Sequence, residues 1–342
     1  MRALELFAGA GGAALGLEAA GLDHAALVEW DAKACATLRA AGMGPVVEGD
    51  VREFDAIEEA VDGAAVDLLW SSFPCQAWSV AGSRKGASDD RNGWPWTVDA
   101  LDRFDPTWFL GENVRGLTMH NRGCAYRDGA LPLFGETPPE ACAGCYLERR
   151  IMADLRARFA HAGWWLLDAA DYGVPQHRRR IIIWAGPEPL TAPEPTHGPG
   201  RALPWASMGE ALGIAPGARV VAAGVTGQGA PRDVRHAAPT IGAKGTALDR
   251  PAPTVTTTEE KGTRGPHMKG GPDRASDALW LTTGRRRLTP AECATLQAFP
   301  ADHPWQGNKG DRYRQIGNAV PPPLAEVVGR IVAAQASRGR VR

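Results

Sequence analysis

The stretch Val66-Asp67-Leu68-Leu69-Trp70-Ser71-Ser72-Phe73-Pro74-Cys75-Gln76 decides the fold class. Its first half is a short apolar run and reads as a buried strand. Its second half, a cysteine held by a proline and followed by polar residues, reads as the loop leaving that strand. In α/β proteins chemistry sits on such loops, at the carboxyl ends of parallel strands. Working outward, Leu4 to Phe7, Ala25 to Glu29, Pro45 to Glu48, Thr107 to Leu110 and Arg180 to Trp184 are further short apolar runs. Gly12 to Ala20, Ala32 to Ala41 and Ile151 to His161 carry helical spacing between them. This alternation predicts an α/β fold, a mostly parallel sheet with helices on both faces.

The chain has 342 residues, enough for a large core and two domains. A net charge of −1 gives no overall attraction to a polyanion, so nucleic-acid binding would rest on local patches. Arg178 to Arg180 and Arg285 to Arg287 are the densest basic runs, although such runs are also common on solvated surfaces. Six cysteines at irregular spacings, an N-terminus that enters a strand directly and no membrane-length apolar stretch predict a reducing, cytoplasmic setting without a disulfide framework or membrane partner. After Trp184 the composition shifts. Pro, Gly and Thr dominate to about Gly284, interrupted by Trp205, Ile214, Ile241, Val255 and Trp280, as in a small domain of short strands and loops. Regular structure resumes at Thr289-Pro290-x-Glu292, a helix start with a cap, a first-turn proline and a capping-box glutamate. A final helix is read from about Leu324 to Ala334.

Several residues carry the pattern of a cofactor site. Gly9, Gly11 and Gly12 follow a strand and open a helix, so the backbone can approach a ligand closely. Glu29 ends the second strand about twenty residues later, where an acid can accept from ribose hydroxyls. Trp30 offers a flat face for adenine, and Asp50 an acceptor for its amino group. Singly each is equally well a strand end or a core residue; jointly they favour an adenosine-containing cofactor. Cys75 is the candidate nucleophile, and as a thiol it needs help to ionise. Glu112, at the end of the strand before it, is read as emerging at the same sheet edge and, if buried, as a proton donor. Arg178 and Arg180 can offer paired donors to a carbonyl or a phosphate. Cys35 and Cys293 lack such context and read as core.

Cys142-x-x-Cys145, with Cys124 and His120 upstream, supplies the donors of a tetrahedral structural zinc site. The Gly- and Pro-rich residues between them have little core of their own, so a metal would help them fold. The spacing matches no standard finger, and chance proximity is the alternative.

Taken together, the motifs resemble those of the DNA (cytosine-5)-methyltransferases. Phe7-Ala8-Gly9-Ala10-Gly11-Gly12, Ser72-Phe73-Pro74-Cys75-Gln76-Ala77-Trp78-Ser79, Glu112-Asn113-Val114 and Gln176-x-Arg178-x-Arg180 are similar to four family motifs. Arg287-Leu288-Thr289-Pro290-x-Glu292 with Leu296-Gln297-x-Phe299-Pro300, and Gln315-Ile316-Gly317-Asn318-Ala319-Val320-Pro321, resemble two more. All lie in unpermuted order, and only residues 120–146 and 187–284 depart from the pattern. Ser72 stands where glycine is usual and Trp78 where phenylalanine is usual.

The resemblance implies a Rossmann-like S-adenosylmethionine-dependent methyltransferase fold with a smaller target-recognition domain. It divides the chain into a catalytic, cofactor-binding domain at 1–186, target recognition at 187–284, a hinge segment at 285–315 and a return to the catalytic domain at 316–342. It implies that Cys75 adds to C6 of a flipped cytosine in duplex DNA, that Glu112 holds N3 and the exocyclic amine, and that Arg180 with Arg178 holds O2. Phe7, Ala8, Gly9, Gly11, Gly12, Glu29, Trp30, Asp50, Val51, Pro74, Asn318 and Ala319 would line the S-adenosylmethionine site. Gln76, Ser79, Arg84, Lys85, Arg91 and Thr254 would face DNA, with Thr240-Ile241 competing with Thr254-Val255 for the place beside the base. A monomer with a cognate restriction endonuclease fits the family. A tRNA cytosine-5 methyltransferase on the same scaffold, or a non-catalytic DNA-binding relative, are the alternatives.

Overall fold

Strands buried on both faces need apolar residues at consecutive positions, and this chain supplies them. In a computed structural model, β1 (Arg2–Leu6), β2 (Asp23–Glu29), β3 (Val46–Glu48), β4 (Leu68–Ser71) and β5 (Trp108–Val114) pair in parallel in the order β3-β2-β1-β4-β5. The structure describes residues 1–74, 92–120, 124, 142–213, 240–241, 250–252, 254–255 and 286–339. Beyond β5 the sheet continues with β7 (Arg179–Gly186), antiparallel to β5, and ends with β6 (His161–Asp168), antiparallel to β7. The reversal of β7 has a functional consequence. Its first residues lie at the same edge as the last residues of the parallel strands, and Arg180 pairs with Val114 in the ladder.

Helices cover both faces. On one, Leu4, Leu6, Val28, Phe109, Ile181 and Ile183 pack with residues of α3 (Phe54–Val61), α4 (Trp94–Phe104) and a helical segment at 143–156. That segment consists of α5 (Ala143–Tyr146), a π-helical turn (Leu147–Ile151) and α6 (Met152–Arg156). On the other face, Ala3, Leu68, Trp70, Leu110 and Ile182 pack with α1 (Gly12–Ala19). α2 (Ala32–Ala40) covers the β2 side, where Leu38 and Met43 meet Leu27.

Two expectations are corrected. Helical spacing predicts a helix from Ile151 to His161, but the helix ends at Arg156 and His161 begins β6. β6 carries an apolar run, Trp164-Trp165-Leu166-Leu167, but pairs on one side only and leaves most of its side chains partly exposed, as an edge strand does. Thr107 to Leu110 understates β5, which runs on to Val114 and carries Glu112 and Asn113 inside the ladder.

The C-terminal part encloses a further core. α7 (Met208–Ala211), α8 (Pro290–Leu296) and α9 (Lys309–Asn318) contribute Met208, Leu296 and Ile316 to a cluster that includes Ala252 and Val255. Thr289 caps α8 with both halves of the expected capping box. A two-stranded sheet pairs β8 (Thr240–Ile241) with β9 (Arg286–Arg287). The last helix, α10 (Pro322–Gly339), lies against α1. Among the described residues no helix is long and apolar enough to cross a membrane.

The α1–α10 contact depends on missing side chains. A Cβ on Gly16 would stand 2.6 Å from Ala325 Cβ and from the Glu326 backbone nitrogen. Alanine in mid-helix normally stabilises by about 1 kcal/mol over glycine. Here overpacking wins, and Gly16→Ala should cost about 1–3 kcal/mol. The check is a lower urea midpoint at unchanged slope. A higher midpoint would show that the two backbones do not meet so closely.

Candidate active site and cofactor cradle

The loop after β1 turns through left-handed backbone conformations at Phe7 (φ 58°), Gly9 (φ 57°) and Gly11 (φ 87°). A positive φ at phenylalanine costs energy, and such strain collects at functional loops. The position a Gly9 Cβ would take has no atom within 4 Å, so this stretch of backbone faces open space. Gly11 is closed in by contrast: a Cβ there would lie 2.9 Å from Leu38 Cδ2. Gly12 packs its backbone against the Val320 carbonyl, which brings the glycine loop to the chain just after Asn318 and Ala319. Asn318 is exposed at the end of α9, and Ala319 is buried.

Glu29 organises the loop. Its Oε2 accepts from Gly9 N at 2.7 Å, and its Oε1 accepts from Trp30 N at 3.0 Å and Asp31 N at 2.8 Å. A carboxylate offers about four acceptor positions, so three N–H groups leave one for a ligand hydroxyl. Burial raises the Glu29 carboxyl above its ordinary value, and the three N–H groups oppose that shift. Beside it Trp30 is 81% exposed, so most of its indole is open to a ligand. Asp50 is turned toward Arg52, whose Nε donates to Oδ1 at 2.8 Å and whose hydrogen bonds hold the carboxyl below its usual range. Val51 is buried, and Ala8 is buried with its N–H on the Val28 carbonyl. The Arg52 guanidinium lies 5.0 Å from the Trp96 ring centre, and Phe7 packs beside the same ring at 6.4 Å. Sequence reasoning missed this arginine and tryptophan because no spacing rule links them to the glycine loop. The open backbone at Gly9, the free acceptor position on Glu29 and the bare indole fit an adenosine-bearing cofactor.

Pro74 closes the cradle from the β4 side. A Cβ on Gly93 would meet Pro74 Cδ at 2.5 Å and Phe7 Cζ at 3.2 Å, so the glycine loop, the segment after β4 and the start of α4 converge there. Asn113 Nδ2 donates to Phe73 O at 3.0 Å and ties that segment to β5. Cys75, Gln76, Ser79, Arg84, Lys85 and Arg91 lie outside the described residues.

Glu112 and Arg180 form a buried ion pair at this edge, with Arg180 Nε 2.7 Å from Glu112 Oε1. Burial raises the Glu112 carboxyl, while Arg180, Arg178 and the hydrogen bond from Arg180 pull it down. Burial wins, so the acid form persists to higher pH than in an exposed glutamate.

Arg178 behaves differently from its neighbour. It is 1% exposed and ties two remote segments together. Its Nη1 donates to Val255 O at 2.8 Å and its Nη2 to Gly317 O at 2.7 Å. Among the described residues its Nε has no hydrogen-bond partner. Buried amides extend the tie. Gln176 Nε2 donates to Leu296 O at 3.0 Å, and Gln176 Oε1 accepts from Val255 N at 2.6 Å. Gln297 Nε2 donates to Ile316 O at 2.6 Å. Thr254 Oγ1 donates to His177 O at 2.7 Å, which places Thr254 beside the arginine strand. Thr240 pairs instead with Arg287 in the small sheet. The glutamines stood in the quoted motifs, but only their contacts reveal their work. His120, Cys124, Cys142 and Cys145 also come together, with their ligand atoms all within 4.8 Å of one another.

Known proteins are similar to this chain in sequence and in fold. A family model described as C-5 cytosine-specific DNA methylase matches residues 1–136 and 227–333. The Type II methyltransferase M.NaeI of Lentzea aerocolonigenes is 34% identical over 348 residues, covering 98% of this chain and 75% of its own length. M.NgoMIV of Neisseria gonorrhoeae is 34% identical over 345 residues, covering 96% and 95%. Among solved structures, S. pombe Dnmt2 methyltransferase superposes with a TM-score of 0.61 at 16% identity, covering 99% of each chain. Entamoeba histolytica methyltransferase EhMeth gives 0.58 at 14% identity, covering 98% of each. At these identities the two structures speak for the fold alone. The family model spans more than half of the chain and the curated relatives run through nearly all of it: the chain belongs to the C-5 cytosine-specific DNA methylases, enzymes that use S-adenosylmethionine.

Proposed function

We propose that this enzyme is a Type II modification methyltransferase that recognises one duplex DNA sequence and methylates a cytosine rotated out of the base stack. The observation that carries the reading is the Glu112–Arg180 pair at the carboxyl edge of the sheet, where Phe73 and Pro74 lead into Cys75. Relatives named as Type II methyltransferases support duplex DNA as the substrate and a cognate restriction endonuclease as the partner. Residues 187–284 are the region we assign to target recognition, and the enzyme acts as a monomer.

S-adenosylmethionine supplies an electrophilic methyl group on a sulfonium, and we assign its adenosine to Glu29, Trp30 and the open backbone at Gly9. Every other task falls to the chain. A base in the stack hides its C5–C6 bond, so the cytosine must leave the duplex. The Cys75 thiolate forms a bond to C6, and the electron pair of the C5–C6 double bond moves onto C5. Glu112 donates its proton to N3 and so offsets the charge spreading into the ring. Arg180, with the unpaired Nε of Arg178, donates to O2. After methylation the C5 proton leaves to a base, its electrons restore the double bond, the Cys75 thiolate departs, and N3 returns its proton to Glu112. We assign the place beside the extruded base to Thr254, whose hydroxyl is held on the His177 carbonyl next to Arg178.

Duplex DNA with 5-fluorocytosine at the target tests the nucleophile, because fluorine cannot leave as the proton does. The wild-type enzyme should form an adduct that survives denaturant, and Cys75→Ala should not. An equal adduct with Cys75→Ala would reassign the nucleophile, and adduct formation on tRNA but not on duplex DNA would reassign the substrate.

Glu112 is tested by pH. The acid form is lost as pH rises through the raised value, so single-turnover methylation should decline on that alkaline side. Glu112→Gln has no proton to give and should be slower by about 10²- to 10⁴-fold. Its residual rate should lack that limb, while DNA affinity stays near wild type.

Cofactor affinity is read separately by calorimetry. Glu29→Ala removes a charged acceptor and the anchor of the Gly9 turn, and should weaken S-adenosylmethionine binding by roughly 10- to 100-fold. Unchanged affinity would move the ribose elsewhere.

A further inference from the structure

The geometry points to a structural zinc ion held by His120, Cys124, Cys142 and Cys145, fixing the chain on both sides of the Cys75 segment. Around a zinc ion with Zn–S of about 2.3 Å and Zn–N of about 2.0–2.1 Å, tetrahedral ligands stand roughly 3.8 Å (S to S) and 3.6 Å (S to N) apart. Here Cys124 Sγ lies 3.3 Å from Cys145 Sγ and 3.6 Å from Cys142 Sγ. His120 Nδ1 lies 3.6, 3.5 and 3.6 Å from the sulfurs of Cys124, Cys142 and Cys145. The separations are too long for a disulfide, whose sulfurs sit about 2.05 Å apart. Thiol hydrogen bonding does not explain them either. An imidazole nitrogen has one lone pair and can accept from one S–H, yet three sulfurs stand at one distance from it. A common centre produces that equality.

The surroundings are built for this arrangement. Cys142 is the residue before α5 and Cys145 lies three residues on, so both side chains share one face of the helix start. Both are buried. The Gly144 N–H donates to Met119 O at 3.1 Å, which seats residues 119–120 on the same turn. The His120 ring occupies the space where a side chain at 144 would stand, 2.7 Å from the Cβ position to its Nε2. Glycine is therefore required if the imidazole is to reach the sulfurs.

The site lies between two anchors of the catalytic segment. His120 follows β5 through a 3₁₀ turn (Arg115–Thr118) whose Leu117 is buried in the core, and that strand carries Glu112. Asn113 on the same strand holds Phe73, two residues before Cys75. Tyr146, next to Cys145, accepts from Asn92 Nδ2 at 2.7 Å, and Asn92 opens the chain into α4. An ion joining His120 to Cys142 and Cys145 therefore clamps the acid-bearing strand to the helix that braces Asn92. The π-helical turn that follows at once lets the helix change register between this clamp and its packing on the sheet.

The test uses the full chain purified without chelator. Elemental analysis should return about one zinc per chain, and cobalt exchanged into the site should show the visible absorption of a tetrahedral thiolate complex. Cys142→Ser and Gly144→Val should each lower bound metal at least about tenfold. Should these variants fail to fold, the wild type decides: stripping the metal with a chelator should expose three more titratable thiols, those of Cys124, Cys142 and Cys145. Less than about a tenth of an equivalent of zinc in the wild type, a full equivalent in Cys142→Ser, or no new thiols on chelation would each overturn the site. None of these readouts involves the nucleobase, so a failure here is distinct from a failure of the 5-fluorocytosine adduct.

Discussion

The buried pair of Glu112 and Arg180 is the constraint around which the rest is arranged. Two opposite charges sit on a sheet face that otherwise carries Leu110, Ile182 and Trp184. Removing both from water costs several kcal/mol per ion, which their attraction only partly returns, so such a pair is poor evidence for stability. It is better understood as a poised acid beside a fixed cation, the combination that active sites concentrate. The pair exists only because β7 runs against β5. In an all-parallel sheet the amino end of that strand, with its arginines, would lie at the far edge.

The backbone is the second constraint. Gly12 and Gly16 let α1 meet the chain around Val320 and helix α10 almost without side chains between. That brings the two ends of the sequence together and sets Asn318 and Ala319 beside the glycine loop. Arg178, Gln176 and Gln297 perform a similar task with polar groups. Each satisfies a carbonyl on a segment distant in sequence, and in a dry interior an orphaned carbonyl is costly enough to hold the segments in register. Arg178 locks the frame with two of its donors, while its Nε has no hydrogen-bond partner among the described residues.

Most of the parallel sheet was legible because its strands are short apolar runs, and the helix at Thr289 because a capping box is a local code. β6 was not legible. Its apolar run, Trp164 to Leu167, directly follows a segment with helical spacing that extended across its start, and a short apolar run is by itself ambiguous between helix and strand. The reach of β5 to Val114 was hidden for a different reason: Glu112 and Asn113 are polar and continue the apolar run only as ladder positions paired with β7. Glu29 was legible as an acid at the end of the second strand, whereas its grip on the Gly9 N–H was not. Asp50 was legible as an acid at a strand end, but its pairing with Arg52, whose guanidinium also lies over the Trp96 ring, was not.

Residue types, their order and their local codes determined the family, the α/β class and the candidates for each chemical role, because reactivity and capping are properties of side chains and near neighbours. Tertiary structure alone decided which candidates meet. It put Arg180 on Glu112, gave Arg178 to Val255 and Gly317, chose Thr254 over Thr240 as the neighbour of the arginine strand, and drew one histidine and three cysteines to a single point. The physical reason is distance. Charge pairing, metal coordination and close backbone contact act over a few ångströms between segments far apart along the chain, and only the packed fold sets those separations.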